Sequence, residues 1–428
     1  MTEATEVGST SGPGRTAGSD VAFLTDFAAL SAFGVTDRGG VHRETATDAD
    51  AAQRAWFGRW LADRGFAVAY DRVGNQFGLL ERTPGAPWVL VGSHLDSQPF
   101  AGRFDGAYGV LAAAHAADRL ARRRGTGANL AVVNWLNEEG SRFEPSMMGS
   151  AVFAGGLDRE AALDTRDGAG VRLGDRLAEL GQLGDDDVLT LDDVAGYAEI
   201  HIEQGRELED AGRTVGLVEA TWAARKYDLT VTGEQSHTGS TVMADRRDAL
   251  LGASELVVLA RELTERLSTA DSPLHTSVSR LTVAPNSPVT VAREVRMNLD
   301  LRSPDEDLLE RADTLLHERI PAISEHARVE VGVSGSHAWG VRPFPAAGVA
   351  LARRCAEDLG LSHRTMLTIA GHDSVNLNAH VPTIMLFVPS EQGISHNERE
   401  STADDDVCAG VDLLTAVLDR LAAGDPVR

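Results

Sequence analysis

Short apolar segments alternate with helical segments along much of the chain, and this order limits the folds it can adopt. The stretches WVLVGSHLDS and NLAVVNWLNEEGS each contain a short apolar run, which is typical of a strand buried on both faces of a sheet. Between them, GAYGVLAAAHAADRLARRRG predicts a helix whose C-terminus carries basic residues and Gly125. This strand–helix–strand order predicts an α/β fold with a mostly parallel sheet.

Residues 214–329 have a different pattern. Segments such as YDLTVT and RMNLDLR alternate apolar with polar residues, which predicts a sheet exposed to water on one face. With two long helical segments nearby, they predict an inserted α+β domain in which two helices cover one antiparallel sheet. The α/β domain then comprises residues 21–213 and 330–428, and residues 1–20 are predicted to be a flexible tail.

Composition excludes several classes of partner. The 428 residues include 64 Asp and Glu against 40 Lys and Arg, a net charge of −24, whereas nucleic-acid binding needs a basic surface. No apolar stretch approaches the ~18 residues of a membrane-spanning helix, and the N-terminus does not resemble a signal peptide. The two cysteines, Cys355 and Cys408, form no CxxC pair that would suggest a thiolate metal site. We therefore expect a cytoplasmic protein that acts on a small molecule.

Four predicted core strands end in, or are followed by, side chains that can bind metal ions. In an open α/β sheet, ligands bind beyond the carboxyl ends of the strands. Imidazole and carboxylate groups without thiolate suit Zn, Mn, Co or Ni. Five such groups can hold two ions if one carboxylate bridges them, which leaves each ion an open position for catalysis. The five candidates are His94, Asp105, Glu139, His201 and His396.

Glu138 stands directly before Glu139 in the sequence. Adjacent residues at a strand end point in different directions, so one can bind metal while the other transfers protons. Taken singly, each candidate has a simpler interpretation: a histidine satisfied within the core, a solvated strand end, or a turn residue in the case of Asp105. Their joint occurrence at the ends of predicted strands favours a metal site.

Longer motifs surround these residues: VGSHLDSQPFAGRFDGAYGVLAA, NEEGSRFEPSMMGS, HIEQGRELE, SHTGSTVMADRRDAL, AGHDS and FVPSEQGISHNERE. In content and order they resemble the motif set of the amidase branch of the M20 metallopeptidase family. That branch contains N-carbamoyl-L-amino-acid hydrolases, allantoate amidohydrolases and β-ureidopropionase-type enzymes. The resemblance implies that the five candidates are metal ligands, with Asp105 as the bridge.

The resemblance also implies catalytic roles. Glu138 would be the general base, and Asp96 would orient His94, as metal-bound histidines usually require. The inserted domain would form a homodimer and supply His237 to the partner's active site, where it stabilises the oxyanion. The alternative interpretation is that the His237 side chain only caps a loop of the inserted domain. His372 and its neighbour in AGHDS resemble a metal pair, but the family implies a supporting or substrate-loop role.

Substrate-binding residues also follow from the resemblance. Gln204 and Arg302 would contact the substrate, and the Arg302 guanidinium suits its carboxylate. The alternative for Arg302 is an ion pair with Asp300 or Asp305. The family reads PNxxNVIPG where this chain reads PNSPVTVARE, which puts Val289 in place of an Asn. The lost polar contact beside Arg302 predicts altered recognition of an α-carboxylate.

The predicted function is metal-dependent hydrolysis of a linear amide or ureido C–N bond, such as that of an N-carbamoyl or allantoate-like amino acid. Two divalent ions per subunit are expected, either Zn or Mn, with Co or Ni as further options. One alternative is an M20 aminoacylase or dipeptidase. Another is a binding or scaffold protein that keeps the fold without catalysis.

Overall fold

The computed structural model describes residues 17–122 and 127–427, and the chain divides into two units. The second unit consists of Ala220–Arg342 and Leu367–Ile369, and the first unit contains the other described residues. Residues 17–20 of the predicted tail begin a helix, whose first turn is favoured by the negative charge of Asp20. That part of the tail prediction is therefore wrong, and residues 1–16 lie outside the described part of the chain.

The first unit is built on an eight-stranded mixed sheet in the order β1-β2-β4-β3-β5-β15-β6-β14. Its central strands β4, β3, β5 and β15 are parallel, whereas β2 and β6 flank them in antiparallel pairs. The predicted α/β fold with a mostly parallel sheet is confirmed. The strands are β1 (Ala67–Tyr70), β2 (Gln76–Leu80), β3 (Trp88–His94), β4 (Asn129–Trp135), β5 (Val194–Ile202), β6 (Val215–Thr221), β14 (His363–Thr368) and β15 (Thr383–Val388).

Helices pack on this sheet, and α3 packs against β3, β5 and α12. A Cβ on Gly109 of α3 would lie 2.2 Å from the carbonyl oxygen of Ile200, so only glycine permits this close approach to β5. The helices of the first unit are α1 (Ala17–Leu30), α2 (Asp48–Ala62), α3 (Ala107–Ala121), α4 (Met148–Phe153), α5 (Arg159–Asp164), α6 (Leu173–Glu179), α7 (Glu207–Ala211), α10 (Ala346–Asp358), α11 (Asp373–Asn378) and α12 (Asp404–Ala422).

The second unit contains a five-stranded antiparallel sheet and two long helices, α8 (Ala249–Leu267) and α9 (Glu306–Ala327). Alternate residues of β12 are buried against these helices, as the alternating sequence predicted. Asp248 and Asp305 cap the helix N-termini through their side chains. The strands are β7 (Ala223–Thr232), β9 (His275–Ser277), β10 (Leu281–Ala284), β12 (Glu294–Ser303) and β13 (Glu330–Trp339), beside a separate pair, β8 (Ser236–His237) and β11 (Thr290–Val291).

The predicted return to the α/β domain at residue 330 is wrong. The segment RVEVGVSG begins β13, which pairs antiparallel with β7 in the second unit. That unit therefore extends to Arg342 instead of ending at residue 329, and it begins at Ala220 instead of residue 214. The residue pattern of a single strand does not identify the strand with which it pairs, so the sequence-based prediction assigned β13 to the wrong domain. Among the described residues, no helix has the length and apolar character needed to cross a membrane.

Candidate active site

The candidate site lies in the first unit, at the carboxyl edge of the parallel strands. β3 ends at His94, and β5 ends one residue after His201. Glu138 and Glu139 follow β4, and His396 lies in the loop after β15. Neighbouring parallel strands end at the same edge of a sheet, so the topology brings these side chains together.

Asp105 lies at the centre of the cluster and is close to all three histidines. Its Oδ1 is 3.4 Å from His94 Nε2 and 3.2 Å from His201 Nε2. Its Oδ2 is 3.3 Å from His396 Nε2, which is in turn 3.4 Å from Glu139 Oε2. Asp105 therefore offers one oxygen to each side of the cluster, as a bridging carboxylate must.

The cluster forms two groups with the dimensions of metal sites. In each group, one potential ligand atom per residue lies within 4.8 Å of the others. Ions such as Zn²⁺ bind N and O ligands at about 2.0–2.2 Å, which puts tetrahedral ligands about 3.3–3.5 Å apart. The observed N···O distances of 3.2–3.4 Å fit that spacing. The first ligand group is His94, Asp105 and His201, and the second is Asp105, Glu139 and His396.

Burial and charge favour a cation at this cluster. Burial alone would raise the pKa of Asp105, but the neighbouring histidines hold it well below its usual value. Burial raises the pKa of Glu138 well above its usual value, and nearby carboxylates act in the same direction. Burial likewise raises the pKa of Glu139. Carboxylates crowded into a buried site are stabilised by a bound cation, so the residues fit a metal site.

Glu138 lies beside the first ligand group but belongs to neither group. Its Oε2 is 3.6 Å from His94 Nε2, and the side chain is buried. A carboxyl group in this position, with a pKa raised by burial, can both accept and release a proton. The position and the raised pKa are the properties that a general base requires.

Asp96 supports the site through different contacts from those predicted. The Nδ1 of His94 is 3.0 Å from the backbone carbonyl oxygen of Asp96 but 3.6 Å from its carboxylate. The carboxylate instead accepts the backbone N–H groups of Glu138 and Glu139, each at 3.2 Å, and the hydroxyl of Thr45 at 2.9 Å. The main chain of Asp96 thus orients His94, while its side chain holds the loop after β4.

Gln204 points at the shared carboxylate. Its Nε2 donates to Asp105 Oδ2 at 2.8 Å and to Ser395 Oγ at 3.2 Å. Its φ of 59° lies in the left-handed region, which is rare outside glycine and concentrates at functional sites. Within the described residues, the buried Oε1 of Gln204 has no hydrogen-bond partner. The predicted contact of Gln204 with the substrate stays a prediction.

Sequence reasoning missed two residues that support the ligands. Glu400 accepts the backbone N–H of Asp105 at 3.0 Å. Gln98 donates through its backbone N–H and its Nε2 to the Glu139 carboxylate, at 3.1 and 2.9 Å. Both residues lie inside the longer motifs, and their proximity to the ligands in sequence is the only signal that could have identified them.

His372 and Asp373 lie next to the cluster, and neither belongs to a ligand group. The His372 ring packs on His201 with 4.6 Å between ring centroids, and burial lowers its pKa well below the usual value. Asp373 accepts a hydrogen bond from the hydroxyl of Ser150. Their contacts agree with a supporting position beside the ligands.

In the second unit, two predicted site residues lie at one short antiparallel strand pair, β8 and β11. His237 of β8 pairs with Thr290 of β11, and the exposed Val289 directly precedes that residue. The Nδ1 of His237 accepts the backbone N–H groups of Gly239 at 2.9 Å and Ser240 at 3.2 Å. A neutral ring with this contact carries its proton on Nε2, which makes that exposed nitrogen a hydrogen-bond donor.

Arg302 lies near the end of β12, whereas the β8–β11 strand pair precedes the start of β12 in the chain. Its Nη2 donates to Asp300 at 2.8 Å, and its Nη1 donates to the backbone oxygen of Ile369 at 2.8 Å. The ion pair with Asp300 is thus present, and the predicted contact of Arg302 with the substrate carboxylate stays a prediction. β12 starts at Glu294, and at about 3.3 Å per residue its length to Arg302 is about 26 Å. The predicted adjacency of Val289 and Arg302 within one chain is therefore wrong.

A mixed α/β domain with two candidate metal-ligand groups at the carboxyl edge of its sheet has the arrangement of a metal-dependent hydrolase. The sequence of the chain matches the family model of peptidase family M20/M25/M40 over residues 90–420. The chain belongs to this metal-dependent family.

Similar proteins align with nearly the whole chain. It is 54% identical over 415 residues to a protein of Mycolicibacterium smegmatis named only as a hydrolase, covering 95% of this chain and 94% of that protein. It is 35% identical to the N-carbamoyl-L-amino-acid amidohydrolase of Rhizobium meliloti, with coverage of 88% and 90%. It is 32% identical to the allantoate amidohydrolase of Bacillus subtilis, with coverage of 93% and 97%.

A solved structure is also similar to this chain. A hydantoinase/carbamoylase family amidase from Burkholderia vietnamiensis has a TM-score of 0.89 and 36% identity, covering 94% of this chain and 97% of that one. The predicted resemblance to the amidase branch of the M20 family is therefore confirmed. The named relatives are hydrolases of C–N bonds other than peptide bonds.

Proposed function

We propose that the protein uses two divalent metal ions to hydrolyse a linear C–N bond in an N-carbamoyl amino acid or an allantoate-like ureido compound. The observation that carries this proposal is the Asp105 carboxylate shared by two ligand groups, next to the Glu138 carboxyl group. The names of the amidohydrolases to which the chain is similar support this class of substrate.

The donor set suits Zn²⁺ or Mn²⁺, and Co²⁺ or Ni²⁺ also accept imidazole and carboxylate ligands. His94 and His201 would hold one ion, Glu139 and His396 the other, and Asp105 both. When bound, such ions lower the pKa of water and polarise a carbonyl group.

Glu138 would carry out the proton transfers. It accepts a proton as water adds to the carbonyl carbon, and it returns that proton to the nitrogen as the C–N bond breaks. For an N-carbamoyl amino acid, the products are the free amino acid and carbamic acid, which decomposes to CO₂ and ammonia. A carboxyl group enclosed among other carboxylates suits this exchange.

The second unit would contribute to substrate binding. His237 Nε2 would donate to the developing oxyanion, and it would do so in the active site of the partner subunit of a homodimer. Arg302 has five N–H groups, and its contacts with Asp300 and Ile369 leave some of them available for a substrate carboxylate.

An activity screen with metal-stripped and reloaded protein tests the proposal. Ammonia release from N-carbamoyl amino acids or allantoate should be lost on stripping and return with Mn²⁺ or Zn²⁺. Glu138→Ala should retain its metal and lose about 10²–10⁴ in kcat. Cleavage of N-acetyl amino acids or dipeptides without ureido turnover would contradict the proposal in favour of an aminoacylase or dipeptidase. Metal-loaded protein that turns over neither class would favour a catalytically silent relative.

A further inference from the structure

We propose that Glu400 is a positioning residue that fixes the second ligand group, because it joins the loop of Asp105 to the loop of His396. This inference rests on the proposed function, since it concerns the same metal-binding cluster. Glu400 touches none of the reacting atoms and would act through the two ligands that it holds in place.

The Glu400 carboxylate contacts both loops at once. Its Oε1 accepts the backbone N–H groups of Phe104 at 2.9 Å and Asp105 at 3.0 Å. Its Oε2 lies 3.0 Å from the hydroxyl of Ser395, the residue directly before His396. The same hydroxyl lies 3.1 Å from Asp105 Oδ2, so the two carboxylates share its single proton. These contacts tie one buried carboxyl group to both loops.

His396 needs such support more than the other two histidines do. Its side chain is 48% exposed, against 2% for His94 and 1% for His201. His94 and His201 lie on strands whose backbone is fixed by the sheet ladder, whereas His396 lies on a loop with a φ of 51°. A non-glycine residue keeps this left-handed backbone only where neighbouring contacts hold it.

The local packing is shaped around the Glu400 side chain. The residue is 5% exposed, and a Cβ on Gly102 would lie 2.1 Å from its carboxyl group. Glycine at position 102 therefore lets the Asp105 loop close over a buried carboxylate. An acidic residue exposed on the loop surface would not need the space that Gly102 leaves for this side chain.

Calorimetric titration of Mn²⁺ into metal-free protein tests the proposal. The unaltered protein should bind two ions, and Glu400→Ala should lose about 10–100-fold in affinity for one of them. The loss for the other should be smaller, because that ion shares Asp105 but is also held by His94 and His201 on strands. Glu400→Gln keeps an oxygen for the two backbone N–H groups and should recover most of the affinity. Glu398→Ala is the matched control, because Glu398 lies on the same loop, accepts the hydroxyl of Thr36 and belongs to neither ligand group.

A second readout separates positioning from a general loss of fold. Excess Mn²⁺ should restore the kcat of Glu400→Ala if its fold, followed by circular dichroism, is intact. Should that variant fail to fold, Ser395→Ala removes the hydroxyl that lies between Glu400 and Asp105 Oδ2, together with its contact with Gln204, and should weaken the same binding step.

The outcomes distinguish this inference from the proposed function. Unaltered protein that binds fewer than two ions would overturn the proposed function itself. Two ions bound equally well by the unaltered protein and by the folded Glu400 or Ser395 variant would overturn only the role of Glu400. An equal loss in both binding steps would also overturn it, because it would show a general structural role.

Discussion

The two units carry their candidate functional residues in opposite surroundings. In the first unit, the Asp105 carboxylate is 3% exposed and is surrounded by histidines at the ends of strands. In the second unit, Val289 is 60% exposed and directly precedes β11, the short strand that pairs with the strand of the exposed His237. Buried charges position one another within a single chain, whereas exposed side chains such as these are accessible to a substrate or to another subunit. Changes to the ligand groups of the first unit should therefore alter metal binding, whereas changes to the exposed residues of the second unit should alter catalysis and leave metal binding unchanged.

The largest effect should follow from Asp105→Ala. Both ligand groups lose the carboxylate that they share, so we expect the loss of both ions. Activity should fall by a factor of at least about 10²–10⁴, the rate enhancement that a general base typically contributes. Elemental analysis after dialysis, with circular dichroism as a check of folding, measures this. The exposed Asp175→Ala is a control that should keep both ions. Retention of both ions by Asp105→Ala would show that it is not a shared ligand.

An intermediate effect should follow from His237→Ala in the second unit. Loss of one oxyanion donor should reduce kcat about 10²–10³-fold, while the metal content stays unchanged. If the partner subunit supplies this histidine, subunit exchange between His237→Ala and Glu138→Ala should restore about a quarter of the activity, because half of the dimers are mixed and each has one intact site.

A matched mixture controls that experiment. Exchange between Asp105→Ala and Glu138→Ala combines two defects of the first unit, so no site becomes intact and no activity should return. Recovery in this control, or its absence in the His237 mixture, would contradict the proposed contribution across a dimer.

The smallest effect should follow from Val289→Asn. The exposed position tolerates a polar side chain, and one added hydrogen bond of about 0.5–1.5 kcal/mol corresponds to a rise of about 2–10-fold in kcat/KM on N-carbamoyl amino acids. Steady-state kinetics with several such substrates measures this change. An unchanged kcat/KM would mean that position 289 does not contact the substrate.

The metal cluster could be predicted because its logic is local to each strand. A buried strand that ends in His94 and another followed by Glu139 need only lie parallel for their ends to meet. The contacts of Asp96 and Gln204 could not be predicted, because a sequence does not show which atom of a side chain or main chain a folded loop presents. The structure assigns the His94 contact to the Asp96 carbonyl and turns the Gln204 amide to Asp105.

The sequence by itself determined the α/β class, the membership of an amidase branch and the set of candidate metal ligands, since these depend on residue types and their order along strands. Only the tertiary structure decided that β13 joins the second unit, that Arg302 pairs with Asp300 and that Glu400 links two loops. No local sequence pattern identifies the partners in these contacts. They are selected by the free energy of packing the whole chain.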